Sequence, residues 1–152
     1  MLLVMPNHAV AGALQLESIV FPLLEPRITS GFGNRNHPIL RTRRHHAGLD
    51  MAAPDYSHVR SISKGTVIFA GRHGAYGKLI SVEHGHGIVS MYGHLNEIVV
   101  NVGDKVSSGK VIGRLGSTGR STGPHLHFEI RKDGKSLNPL EIFPNIAKHA
   151  DG

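Results

Sequence analysis

The segment Pro124-His125-Leu126-His127-Phe128-Glu129 sets two imidazoles one apolar residue apart. On a strand, alternate side chains share a face, so both rings project together while Leu126 and Phe128 fill the opposite, buried face. In that arrangement one ring binds a metal ion while its neighbour reaches a bound water, as a base serving a metal-activated nucleophile must. A second pair lies in His46-Ala47-Gly48-Leu49-Asp50, an imidazole and a carboxylate four residues apart, both competent zinc ligands. Fully extended, the two would stand roughly 13 Å apart. Joint chelation therefore requires the chain to fold back near Gly48, where glycine supplies backbone freedom. His94, in Met91-Tyr92-Gly93-His94-Leu95, ends an apolar run and so falls at a sheet rim where it can face a site. Each element taken singly also reads as an ordinary surface group.

There are 12 histidines in 152 residues and no cysteine, so any metal must be held by His, Asp or Glu. A second His-x-His, in Glu83-His84-Gly85-His86-Gly87, carries two glycines and reads as a hairpin turn rather than a rigid ligand pair. The stretch from Gly103 to Val111 approximates a phosphate loop but has one residue too many between its glycines and ends in Val. The formal charge of +6, from 17 basic and 11 acidic residues, would attract an anionic polymer, a lipid surface or a bacterial cell wall. Nucleic acid is disfavoured, because aromatics are 5% of the chain and no reading motif is present. Arg41, Arg43 and Arg44 read as a solvated loop beside His46.

The elements that must position these groups are β-strands. Short apolar runs alternate with turn residues, and 19 glycines punctuate the chain. Strands are expected over residues 27–30, 49–51, 59–61, 65–70, 78–83, 88–94, 97–101, 111–115 and 125–131. Turns are expected at residues 71–74, 85–87, 103–104, 107–109, 116–123 and 133–134. Asn138 and Pro139 start a short helical turn through Ile142. The fold class is therefore mainly β, an antiparallel β-sandwich or barrel-sandwich hybrid with little helix. Residues 1–20 are expected to be a leader or the remnant of a longer chain, 21–144 the working domain and 145–152 a frayed tail. No basic residue precedes Arg27, so no export signal is visible, and the apolar runs are too short to span a bilayer.

Read in order, Ile28-Thr29-Ser30-Gly31-Phe32-Gly33, Arg35-Asn36-His37-Pro38-Ile39, the run from His46 to Pro54, Tyr92 to Leu95, and Gly-Ser-Thr-Gly-x-Ser-Thr-Gly-Pro-His-Leu-His-Phe-Glu at 116–129 resemble the lysostaphin/LytM-type zinc metallopeptidases. The resemblance covers residues 21–143 and implies a duplicated hybrid motif fold. It also implies one catalytic zinc held by His46, Asp50 and His127, with His94 and His125 as catalytic histidines. The implied substrate is peptidoglycan, cut as an endopeptidase at cross-links or stem peptides, and the implied location is the cell envelope, periplasmic or secreted. Degenerate members of the family act as hydrolase activators, and a non-catalytic wall-binding module is the alternative reading; here none of the five residues is missing. The segment from Pro54 to Arg60 departs from the family's usual Gly-Thr-Pro-Val turn.

Three protein ligands leave a fourth position for water, as catalytic zinc sites do. The helical motif with a glutamate base between two histidines is absent, so proton transfer falls to His94 and His125. Their division of labour depends on ring tautomers that sequence does not place. The stretch from Val102 to Gly113 also looks like the hammerhead turn of biotin- and lipoate-carrier domains, but no Met-Lys pairing for modification occurs. Oligomeric state is not legible.

Overall fold

The computed structural model describes residues 14–36, 43–121 and 123–143. In chain order the elements are β1 (Arg27–Ser30), β2 (Gly33–Asn36), β3 (Arg43–His46), β4 (Leu49–Ala52), β5 (His58–Arg60), β6 (Gly65–Arg72), β7 (Lys78–Gly85), β8 (Ile88–Ile98), β9 (Lys105–Val106), β10 (Val111–Leu115), β11 (His125–Lys132), β12 (Lys135–Leu137) and the short helix α1 (Pro139–Ile142). Every strand pairing is antiparallel. The fold is thus mainly antiparallel β with scarce helix, as the alternation and turn spacing predict. Residues 1–13 of the expected leader, the segment 37–42 with Arg41, and the tail 145–152 lie outside the described residues, as do the side chains of Arg43, Arg44 and His46.

The main sheet runs β1-β4-β11-β8-β7-β6-β9, with β10 joining β8 to β5 and β12 pairing β11. β2 and β3 form a separate hairpin. The long strand β8 is the structural hinge of the sheet. Its first half pairs with β11, ending at Gly93 opposite His127, and its second half pairs with β10 from Leu95 onward. Sequence alternation predicts two strands here, 88–94 and 97–101. The structure instead carries one strand through, because the irregularity at Gly93-His94 changes the partner without ending the extended chain.

Alternation sorts β4 and β11 into two faces. Leu49, Met51, Leu126, Phe128 and Ile130 are fully buried in the core, together with Ile80, Tyr92, Leu95, Ile112 and Leu115 from neighbouring strands. The Phe128 ring lies 5.5 Å from that of Tyr92 and 6.4 Å edge-on from Phe21, which in turn packs edge-on against Phe143 at 5.0 Å. Leu16 and Ile19, which fall before the expected domain start, are buried in this same core. At the other end Asn138 accepts a hydrogen bond from the Leu140 N–H and Pro139 occupies the first turn, so α1 forms where the cap and proline predict it.

A polar chain crosses the core beside Tyr92. His84 Nδ1 lies 2.8 Å from the Lys64 carbonyl, which only accepts, so this nitrogen carries the proton and Nε2 accepts from Ser90 Oγ at 2.7 Å. Ser90 then accepts from the Tyr92 hydroxyl at 2.7 Å, and Tyr92 accepts from the Ile62 N–H at 3.1 Å. Both ring nitrogens of His84 are thereby used, and His86 sits in the β7–β8 turn with φ +53°. The second His-x-His is a hairpin, as its glycines predict.

Phe128→Ala removes the ring that joins β11 to Tyr92 and Phe21, and is expected to cost about 3–5 kcal/mol of unfolding free energy in urea titrations. A loss below about 1 kcal/mol would show that the core closes without it.

Candidate active site

The β4–β11 register sets Asp50 directly opposite His127, with His125 opposite Ala52. Directly opposed residues are the closest pairs that a sheet provides. Asp50 Oδ1 lies 2.7 Å from His127 Nδ1, and His125 Nε2 lies 3.9 Å from the same oxygen. From the other side of β11, His94 follows Gly93 on β8 and its ring centroid stands 4.6 Å from that of His125 and 6.1 Å from that of His127. Four of the five residues singled out from sequence, Asp50, His94, His125 and His127, thus converge. The fifth, His46, has its backbone in β3, opposite Gly33 and two residues before Gly48.

His94 is held in a backbone conformation that non-glycine residues rarely adopt, with φ +63°. Its Nδ1 lies 2.6 Å from the Thr118 carbonyl. A carbonyl cannot donate, so Nδ1 carries the proton and the Nε2 lone pair faces away from the loop. Burial lowers the pKa of His94, the Thr118 contact only partly offsets this, and the neighbouring histidines lower it further. These effects favour the neutral imidazole. The hydrogen-bond argument for the tautomer also holds for His125, whose Nδ1 donates toward the Gly123 carbonyl at 3.0 Å with Ser121 Oγ at 2.9 Å. Nε2 is then the nitrogen turned toward Asp50. Both tautomers are therefore set by one loop, residues 116–123, which sequence reads only as a turn.

That loop is pinned. The Arg120 N–H donates to the Ala75 carbonyl at 2.9 Å, Thr118 Oγ1 donates to the Leu95 carbonyl at 2.5 Å and accepts from the Lys78 N–H at 3.0 Å. Gly77 and Gly119 meet backbone to backbone, both at positive φ, and a Cβ on either would fall within 2.4 Å of the other strand of loop. Only glycine permits this approach.

On the far side of His127, Nε2 lies 2.7 Å from Glu129 Oε2. The Tyr76 hydroxyl donates to the same oxygen at 2.6 Å, and Arg131 donates to Oε1 from Nε at 3.0 Å and from its terminal nitrogen at 2.8 Å. Burial would raise the Glu129 pKa, but the donors from His127, Tyr76 and Arg131 outweigh it and pull it down to about 2. Burial would likewise lower His127, yet Asp50 and Glu129 on its two nitrogens push it up to about 9. Burial and the Glu129 contact raise Tyr76 to about 12, so its phenol keeps its proton. Glu129 and Tyr76 were not singled out from sequence. Glu129 was findable, since it lies two residues after His127 and hence on the same face of the strand.

Two depressions flank the cluster. One, of about 240 Å³, is lined by Ala47, Tyr76, His94, Arg120, His127 and Glu129. The other, of about 280 Å³, is lined by Thr29, Asp50, Ala52, Pro124 and His125. The clustered imidazoles and carboxylates therefore lie between two open depressions.

Gly48 lies at the bend between β3 and β4, where chelation requires one. The reason for glycine, however, is space rather than backbone freedom. A Cβ there would stand 2.6 Å from the Phe128 carbonyl, 2.8 Å from Glu129 Cγ and 2.9 Å from His127 Cε1.

Among known proteins, a family model described as Peptidase family M23 matches residues 44–139, a span that contains all five residues. The DD-carboxypeptidase/endopeptidase Mpg of Neisseria meningitidis is 47% identical over 121 residues, covering 80% of this chain and 28% of that protein. The peptidoglycan DD-endopeptidase ShyA of Vibrio cholerae is 38% identical over 116 residues, covering 76% of this chain and 27% of that protein. The crystal structure of a zinc-containing peptidase from Vibrio cholerae superposes with a TM-score of 0.76 at 35% identity, covering 81% of this chain and 39% of that one. The chain thus spans less than a third of the length of Mpg and ShyA.

Gly48→Ala is expected to lower stability by about 1–3 kcal/mol, because β4 must shift from β11 to admit the methyl group. Gly31→Ala, where a Cβ meets nothing within 4 Å, should change it by less than about 0.5 kcal/mol. Equal effects in parallel urea titrations would contradict the close-approach explanation.

Proposed function

The chain belongs to peptidase family M23, and on that premise we propose that it is a zinc-dependent endopeptidase cutting peptide bonds of bacterial peptidoglycan, at its cross-links or stem peptides. The peptidase unit is assigned to residues 21–144, with Leu16 and Ile19 of the preceding segment packed into its core, and its place of action to the cell envelope. The supporting observation is the meeting of Asp50 Oδ1 and His127 Nδ1 at 2.7 Å beside two imidazoles whose Nδ1 protons are both committed to backbone carbonyls.

A carboxylate oxygen and an imidazole nitrogen facing each other are the donor types that hold zinc. The electrostatics fit as well. With carboxylates at both of its nitrogens, His127 is pushed up to about 9, so the Asp50–His127 junction favours positive charge. Asp50 and His127, with His46, would hold the ion. When bound, zinc polarises the scissile carbonyl and lowers the pKa of the water that attacks it.

The remaining chemistry belongs to this chain's own side chains. His125 is assigned as proton acceptor. Its Nε2 faces Asp50 Oδ1 at 3.9 Å, so an imidazolium formed there gains a carboxylate neighbour. His94 is assigned as the neutral partner, because burial and the two adjacent histidines oppose a charge on it. Its Nε2 accepts a hydrogen bond and so orients the attacking water. Both rings keep their orientation through the reaction, since the Thr118 and Gly123 carbonyls hold the opposite nitrogen.

The purified protein is expected to bind one equivalent of zinc and to release fragments from purified peptidoglycan. His46→Ala, Asp50→Ala and His127→Ala should each lose stoichiometric zinc, whereas His125→Ala should keep zinc and lose hydrolysis by about 100-fold or more. Chelation should abolish activity and added zinc restore it. Full hydrolysis by a metal-free preparation would overturn the reading, and bound zinc without hydrolysis would favour a non-catalytic wall-binding module.

A further inference from the structure

Glu129 is 1% exposed, yet it carries a full charge and no step of the proposed reaction uses it. Its two oxygens divide their work. Oε1 takes both Arg131 contacts, and Oε2 is left for His127 Nε2 at 2.7 Å and the Tyr76 hydroxyl at 2.6 Å. Both of those partners line the depression of about 240 Å³ beside the site. The opposite nitrogen of His127, Nδ1, is the one that meets Asp50. Both nitrogens of His127 thus face a carboxylate at 2.7 Å, and where Asp50 is given over to a metal the proton stays on the nitrogen still tied to an acceptor, Nε2.

We propose that Glu129 is a positioning residue that fixes the proton of His127 on Nε2, so that Nδ1 is the nitrogen presented beside Asp50 to the metal. The inference rests on the zinc reading above. Arg131 is the anchor that makes the arrangement rigid. Two guanidinium nitrogens converge on Oε1 and hold that oxygen in place, which leaves Oε2 turned to His127. Tyr76 donates to Oε2 from the 3-10 turn Gly74–Tyr76, so the carboxylate also ties that turn to the imidazole. The charge of Glu129 matters as well as its shape. A carboxylate behind a metal-bound imidazole raises the ligand's basicity, and loss of such a partner typically costs about 10–100-fold in metal affinity or activity.

Two measurements test this, neither of them an activity assay. In the zinc-loaded wild-type protein, long-range proton–nitrogen correlation spectra should show the His127 proton on Nε2 and the metal on Nδ1. Zinc affinity measured by competition with a chromophoric chelator should fall about 10–100-fold in the double variant Glu129→Met/Arg131→Met, which removes the acceptor together with its ion-pair partner. Arg131→Met alone, which removes the anchor but keeps the Glu129–His127 contact, should lose less zinc affinity than the double variant. Glu129→Gln, which keeps an accepting oxygen for Nε2 but removes the charge, should fall between wild type and the double variant. The opposite tautomer, or a double variant that binds zinc like wild type, would overturn the role of Glu129 while leaving the zinc reading intact. A wild-type protein that binds no zinc would overturn both. Should the double variant fail to fold, the wild-type spectrum decides.

Discussion

Everything at the site depends on the pairing of β4 with β11. A slip of one residue would move Asp50 from opposite His127 to opposite a core residue and turn both histidines to the other face. What forbids the slip is not the polar contact. Leu49, Met51, Leu126 and Phe128 are all fully buried on the reverse face, and at about 1.5–3 kcal/mol each they hold the register with roughly 6–12 kcal/mol in sum. The Asp50–His127 hydrogen bond, involving a charged group, contributes about 1.5–3 kcal/mol. The core therefore enforces the geometry of the site, and the site inherits its rigidity from residues that do no chemistry.

His94 reaches the cluster by a different device. β8 changes partner from β11 to β10 at this residue, and the positive φ that accompanies the change turns its side chain against His125. A non-glycine residue in that region costs of order 1–3 kcal/mol. The cost is sustained because the chain is fixed on both sides, Gly93 by His127 and Leu95 by Leu115 and Lys78. The same loop that receives the His94 ring also receives that of His125, and its seat against Gly77 leaves no room for any side chain at 119. Backbone carbonyls, rather than acidic side chains, thus set the protonation pattern of both imidazoles.

Much of this architecture is written in alternation. β4 and β11 are legible because apolar residues recur at every second position, and β7 and β10 because short apolar runs end in turn residues. β2 and β3 escape the pattern, since Gly33-Asn34-Arg35-Asn36 and Arg43-Arg44-His45-His46 contain no apolar residue, and their hairpin lies off the main sheet. β9 and β12, at two and three residues, are too short to carry a period. The residue types and spacings at the site were readable, and the family resemblance they carry is the family to which the chain belongs. The acceptors that fix the tautomers were not, because a carbonyl at Thr118 or Gly123 leaves no mark in the residue type. Gly48 illustrates the difference in kind: a bend there was legible, but the crowding by β11 that demands glycine is a property of the packed sheet.

The Glu129–Arg131 pair, buried at its carboxylate end and partly exposed at Arg131, is best understood as geometry rather than as stability. Burying a charge costs several kcal/mol, and a buried ion pair returns about as much only when its remaining lone pairs are satisfied. Here they are, with four donors on two oxygens, so the net contribution to folding is small. An apolar pair of similar volume would fill the same space at no loss of stability. It would not, however, present an acceptor to His127 Nε2, nor oppose the positive charge that gathers on the other side of the ring. The imidazole stands between two carboxylates, one 19% exposed at Asp50 and one 1% exposed at Glu129. On the zinc reading proposed above, that asymmetry gives the ring a direction: the nitrogen facing the buried carboxylate would keep its proton, and the nitrogen beside Asp50 would be the one open to a cation.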